Sequence, residues 1–232
     1  MRILFSGCRI FDGTGSPCYD GDLLVDGDRI AAVGAVSDGA DADVTVDARG
    51  LAVAPGFIDA HSHNDFFYDY DDAEMYYAPF IKQGITTQIT GNCGFSPFGI
   101  DAESKFADKV GGGLFHARKP SSFAEFKSRA QGRLFVNIAP LVGQGTTRIG
   151  ISGYDPTPLS AEQIEQEMRH VDEAMQGGAF GGSFGFMYEP GIYARRDELV
   201  AFAKRIAAYD GILTVHPRAC SKVALGYPLL SK

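Results

Sequence analysis

The chain has 232 residues, enough for one sizeable core or for a core with a small satellite domain. Hydrophobic residues make up 45% and charged residues 22%, the balance of a soluble globular protein. A net charge of −8 argues against nucleic acid or anionic membranes as partners, and no run of about 18 apolar residues is present to span a bilayer.

The opening "MRILFSGCRIFDGTG" meets polar and turn residues too early to read as a signal peptide. Residues 1–54 read as short strands joined by turns. "RILFSGCRIFDG", "DLLVDGDRIAAVG" and "ADVTVDARGLAVAPG" each close on Asp-Gly or a near equivalent, a hairpin signal. A small domain of β-sandwich type is expected there. The four cysteines, Cys8, Cys18, Cys93 and Cys220, form no Cys-x-x-Cys pair, which fits a reduced, cytoplasmic setting.

From residue 55 to residue 232 the pattern becomes strand then helix, repeated. Apolar runs occur at "GFIDAHSH", "GITTQITGNC", "LFVNIAPLVGQG", "GGSFGFMY" and "GILTVHPR". Helical segments are expected at "DAEMYYAPFIKQ", "SSFAEFKSRAQG", "SAEQIEQEMRHVDEAMQGG" and "RRDELVAFAKRIAAYDG". In the third, Ser160 and Gln163 have the spacing of a capping box, and Gly177-Gly178 form a stop. Such alternation implies parallel strands with helical crossovers, about five units of the eight in a closed (β/α)8 barrel.

Chemistry-bearing residues fall at the ends of three of these runs. His61 and His63 are two apart, so in extended chain they share a face about 6.5 Å apart. Cys93 follows a second run and is flanked by Gly91 and Gly94, a sharp turn expected to expose it. His216 ends a third, kept extended by Pro217. In α/β barrels the C-terminal strand ends form the active-site face, and imidazole with thiolate suits a transition metal. Surface or hydrogen-bonded histidines, a satisfied core residue at His216, and a buried apolar cysteine or a catalytic thiol at Cys93 are the competing readings, although no Cys-His hydrolase signature accompanies the thiol. His116, in a Gly-rich loop, and His170, on the polar side of a helix, are expected to be solvated.

"APGFIDAHSHND" resembles the first strand of the amidohydrolase superfamily, whose barrel binds one or two metal ions. "TGNCGFSP" is similar to the D-aminoacylase (N-acyl-D-amino-acid deacylase) branch, in which a cysteine here is a metal ligand. "GAFGGSFGFMYEPGIYARRDELVAFAKRIAAYDGILTVHPR" resembles the same branch across its fourth and fifth strands, so the likeness covers essentially the whole chain. The resemblance implies a TIM-type (β/α)8 barrel, one or two divalent metals such as zinc, and hydrolysis of the amide bond of a small-molecule N-acyl-D-amino acid. It implies His61 and His63 on the more solvent-facing metal, Cys93 shared or on the tighter one, and His216 beside it. Tyr188, in "FMYEPG", would meet the substrate carboxylate, or else be an aromatic that closes the barrel. Arg218 could also meet a carboxylate, though a surface position is the plainer reading.

Two departures stand out. Where relatives tend to carry Gly-His-Gly, "LVGQGTTR" has Gln144, which cannot titrate. The family's next histidine ligand, substrate lysine and catalytic aspartate lie on later strands, beyond "GYPLLSK". The chain is therefore expected to be an N-terminal portion, completed by a C-terminal half or an oligomer partner, and its catalytic residue is unassigned. The alternatives are a cyclic-amide amidohydrolase of hydantoinase or dihydroorotase type, which Cys93 disfavours, and a non-catalytic scaffold or partner subunit.

Overall fold

In the computed structural model residues 1–36, 41–111, 115 and 117–218 are described; His116 and Cys220 lie outside them. The chain divides into two compact units, Met1–Gly56 and Phe57–Lys232.

The first unit contains β1 (Arg2–Ile10), β2 (Tyr19–Asp26), β3 (Arg29–Gly34), β4 (Val44–Asp47) and β5 (Ala52–Val53). β1 pairs antiparallel with β2, and β2 pairs antiparallel with β3 through the hairpin read at Asp26-Gly27, where Gly27 has φ +60°. The third turn signal behaves otherwise. β4 and β5 both run parallel to β1, along residues 3–6 and 9–10. The Asp47–Gly50 turn therefore marks a jog along one edge of β1 and makes no hairpin. Cys8, Ile10 and Ala48 form the buried centre of this sheet.

The second unit alternates as the sequence pattern requires: β6 (Phe57–Asp59), α1 (Ala73–Ile81), β7 (Ile85–Thr90), α2 (Phe123–Ala130), β8 (Asn137–Gly143), α3 (Gln144–Ser152), α4 (Ala161–Gly177), β9 (Gly181–Gly185), α5 (Arg196–Ala208) and β10 (Ile212–His216). All neighbouring strands are parallel, in the order β10-β9-β8-β7-β6, a curled half-barrel. The capping box of α4 is present as read, and Gly178 closes that helix with φ +109°. Met168, Val171 and Met175 of α4 pack against Phe123 and Phe126 of α2, Phe202 and Ile206 of α5, and Phe184 of β9.

Helix α3 has no counterpart in the sequence reading, because Thr and Gly lower its intrinsic propensity. Its burial between strand and helices overrides that preference. No described helix is long and apolar enough to cross a membrane. The C-terminal strand ends and the loops leaving them carry His61, His63, Cys93, Tyr188 and His216.

Candidate metal centre

β6 stops at Asp59, two residues short of the first histidine, instead of running to His63. The Ser62 N–H nonetheless donates to the Ile89 carbonyl at 3.0 Å, which carries the contact with β7 past the end of the strand. His61 and His63 leave this stretch with ring centroids 5.5 Å apart, edge to face. His61 Nε2 lies 3.3 Å from Cys93 Sγ, and His216 Nδ1 approaches the same sulfur at 3.6 Å from β10. One ligand atom from each of His61, His63 and Cys93 falls within 4.8 Å of the others. Residues 32 and 123 positions apart in the sequence thus meet at one sulfur.

Cys93 is not exposed as its flanking glycines suggested; only 8% of it is accessible. The turn folds back onto the sheet. A Cβ at Gly91 would lie 2.0 Å from the Leu141 carbonyl oxygen, and one at Gly94 2.8 Å from the Gly185 nitrogen. Only glycine allows that approach. Cys93 itself has φ +58°, one of two non-glycine residues with positive φ among the described residues. L-residues adopt this region at a cost of about 1–2 kcal/mol, so the surrounding contacts must enforce it.

The donor set fits a borderline-soft cation. His63 Nδ1 is buried with no hydrogen-bond partner, an orphan that a metal would satisfy. Burial, reinforced by the His61 imidazole, pulls His63 down to about 4, leaving it neutral at pH 7 with a lone pair for ligation. His216 is lowered by the same two causes in the same order. Burial pushes the Cys93 thiol up, a preference that a bound cation would reverse. Tyr188 Oη lies 3.1 Å from His216 Nδ1, with the rings edge-on at 4.7 Å, so the tyrosine abuts a candidate ligand. Arg218 stacks over Phe186 at 5.4 Å.

Gln144 points into the helix layer. Its Nε2 donates to Glu198 Oε1 at 2.5 Å, with Glu167 Oε1 at 3.5 Å. Arg148 Nη1 donates to Glu198 Oε2 at 2.6 Å, and Thr147 Oγ1 to Glu167 Oε1 at 2.8 Å. Arg148, Glu167 and Glu198 are each at most 1% exposed. Burial first, then the Glu198 charge, pushes Glu167 up to about 8. Sequence reasoning missed this cluster, yet a signal existed: Glu167 sits on the apolar stripe of α4 and Glu198 on that of α5, four residues before Phe202. His170 also departs from expectation. Its side chain is 12% exposed and lies 3.9 Å from Asp101, because that side of α4 is covered; burial is the main influence lowering it.

The amidohydrolase family profile matches residues 44–183. The chain belongs to the amidohydrolase family. Within the family it is 35% identical over 222 residues to the D-aminoacylase of Alcaligenes xylosoxydans xylosoxydans, covering 93% of this chain and 44% of that protein. It is 39% identical over 219 residues to the N-acyl-D-aspartate deacylase of the same organism, covering 90% and 42%. Among solved structures, a D-aminoacylase with a binuclear metal centre superposes with a TM-score of 0.81 at 30% identity, over 94% of this chain and 45% of that one. The N-acyl-D-glutamate deacylase of Bordetella bronchiseptica, solved with zinc and a phosphonate inhibitor, gives 0.75 at 33% over the same shares. This amidohydrolase spans less than half the length of the relatives it matches. The family-level resemblance carried by "APGFIDAHSHND" is thus borne out, as is the TIM-barrel class. A D-hydantoinase matches at 0.56 and 18% identity, which shows the shared fold alone.

Proposed function

We propose that this chain is the N-terminal portion of a zinc-dependent hydrolase that cleaves the amide bond of N-acyl-D-amino acids. The observation that carries this is the convergence of His61, His63, Cys93 and His216 at the C-terminal ends of β6, β7 and β10 in a chain similar to deacylases.

In this reading those four side chains hold one or two metal ions. A bound divalent cation supplies Lewis-acid polarisation of the scissile carbonyl and lowers the pKa of water towards 7. The remaining work belongs to the chain. Neutral His63 offers a lone pair, and the His61 ring stands edge to face with it at 5.5 Å. The Tyr188 hydroxyl, 3.1 Å from His216 Nδ1 with the rings edge-on, is the group that would meet the carboxylate of an N-acyl amino acid. Phe115, stacked on His63 at 4.3 Å, screens that ligand from water on one side. The general acid–base group, an aspartate by family resemblance, would come from the further strands of a full-length enzyme. Residues 55–232 are then the N-terminal part of the barrel, and residues 1–54 part of a β-sandwich domain. Three free cysteines among the described residues favour a reducing, cytoplasmic setting.

The test is zinc per purified chain in wild type and Cys93→Ala, with hydrolysis of N-acetyl-D-amino acids assayed with and without a separately produced C-terminal segment. Near-stoichiometric zinc that falls in Cys93→Ala, with activity appearing on complementation, is the expected result. Zinc absent from both proteins would leave a non-catalytic scaffold. Turnover of hydantoins instead of N-acyl amino acids would move the substrate to cyclic amides.

A further inference from the structure

The turn that carries Cys93 is held by a residue outside it. Ser183, in the middle of β9 and fully buried, reaches across to the backbone on either side of the cysteine. Its Oγ accepts from the Gly94 N–H at 2.9 Å and donates to the Gly91 carbonyl at 2.5 Å. One hydroxyl therefore spans residues 91–94 and uses both its donor and an acceptor to do so. Further hydrogen bonds secure the turn and its C-terminal flank: Thr214 Oγ1 donates to Asn92 Oδ1, and Thr146 exchanges two with Ser96. Among the described residues, Ser183 is the side chain that bridges the two glycines bracketing the left-handed Cys93.

We propose that Ser183 is a positioning residue for the metal centre: bridging Gly91 and Gly94, it holds Cys93 left-handed and aims its sulfur at His61 and His216. The inference rests on the reading of Cys93 as a ligand. Ser183 does not touch the ion; it acts through the backbone, as residues outside the ligand set orient metal ligands in general. Without the bridge, the remaining contacts of the turn, such as the Phe95 N–H to the Asn92 carbonyl, oppose the intrinsic preference of Cys93 for negative φ less firmly, and the sulfur shifts away from the two imidazoles.

The experiment compares wild type, Ser183→Ala, Cys93→Ala and Thr147→Val. Thr147→Val removes an equally buried hydroxyl that bonds Gln144 and Glu167, away from the Cys93 turn. Zinc affinity is measured by competition with a chromophoric chelator, and the cobalt-substituted proteins are examined for the sulfur-to-cobalt charge-transfer band. Ser183→Ala is expected to bind zinc about 10–100-fold more weakly and to weaken or shift that band. Thr147→Val is expected to match wild type in both. If Ser183→Ala matches wild type while Cys93→Ala loses affinity, the positioning role is wrong and the ligand reading survives. Equal losses in Ser183→Ala and Thr147→Val would mean general destabilisation and overturn the role as well. Wild-type affinity in Cys93→Ala would remove the ligand reading itself, and this inference with it. Should Ser183→Ala fail to fold, Ser183→Cys, which fills the site but hydrogen-bonds weakly, carries the same comparison.

Discussion

At the scale of single residues, the costliest positions outside the metal centre are the buried charges of the helix layer. Arg148 neutralises Glu198 at 2.6 Å and also donates to the carbonyls of Asp155 and Thr157. Arg148→Met strands a buried carboxylate and should destabilise by about 3–5 kcal/mol in urea unfolding. Arg148→Met combined with Glu198→Leu should recover much of that loss, because both members of the pair are gone and the Glu198 carboxylate is no longer buried without its cation. Glu167 adds a pH dependence. Its carboxyl is raised from 4.5 to about 8 in the fold, so the folded state holds a proton that the unfolded chain releases. Its contribution is complete below pH 4.5 and is lost as pH rises through about 8. Tm measured across that window should fall less in Glu167→Gln than in wild type.

At the scale of elements, α4 owes its start to a reciprocal cap: Ser160 Oγ accepts from the Gln163 N–H, and Gln163 Oε1 from the Ser160 N–H. Ser160→Ala should cost about 1 kcal/mol, read as a lower denaturation midpoint with an unchanged m-value. This helix was legible because its cap, apolar stripe and terminal glycines all lie within one contiguous segment. Helix α3 was not, since its stability comes from partners distant in sequence: Glu198, and Ile100, whose side chain a Cβ at Gly150 would meet at 2.6 Å. The β4–β5 segment was misread for the same reason. A local Asp-x-x-Gly signal cannot say which edge of β1 receives the strand.

At the scale of the whole molecule, β6 and β10 end the five-stranded sheet, and each leaves one side without a partner strand among the described residues. Phe57, Ile58 and Val215 on them are 63%, 66% and 48% exposed. Uncovered apolar edges favour association. Light scattering of the 232-residue chain should show a mass that rises with concentration, and Val215→Lys, on the β10 edge, should lower it. A concentration-independent monomer mass would show that these edges are protected in solution.

The sequence by itself determined the alternation of strands and helices, the cap of α4, the family, and which residues could serve as ligands. Each depends on spacing within a short stretch: two residues for His61 and His63, three for Ser160 and Gln163. Tertiary structure decided what local spacing cannot encode. It buried Cys93 where the sequence suggested exposure, covered His170, and turned Gln144 towards two glutamates. It also placed Ser183 across the Cys93 turn from about ninety positions away. These outcomes follow from parallel register, which brings the strand ends together, and from packing so close that Gly91 and Gly94 alone fit beside the cysteine.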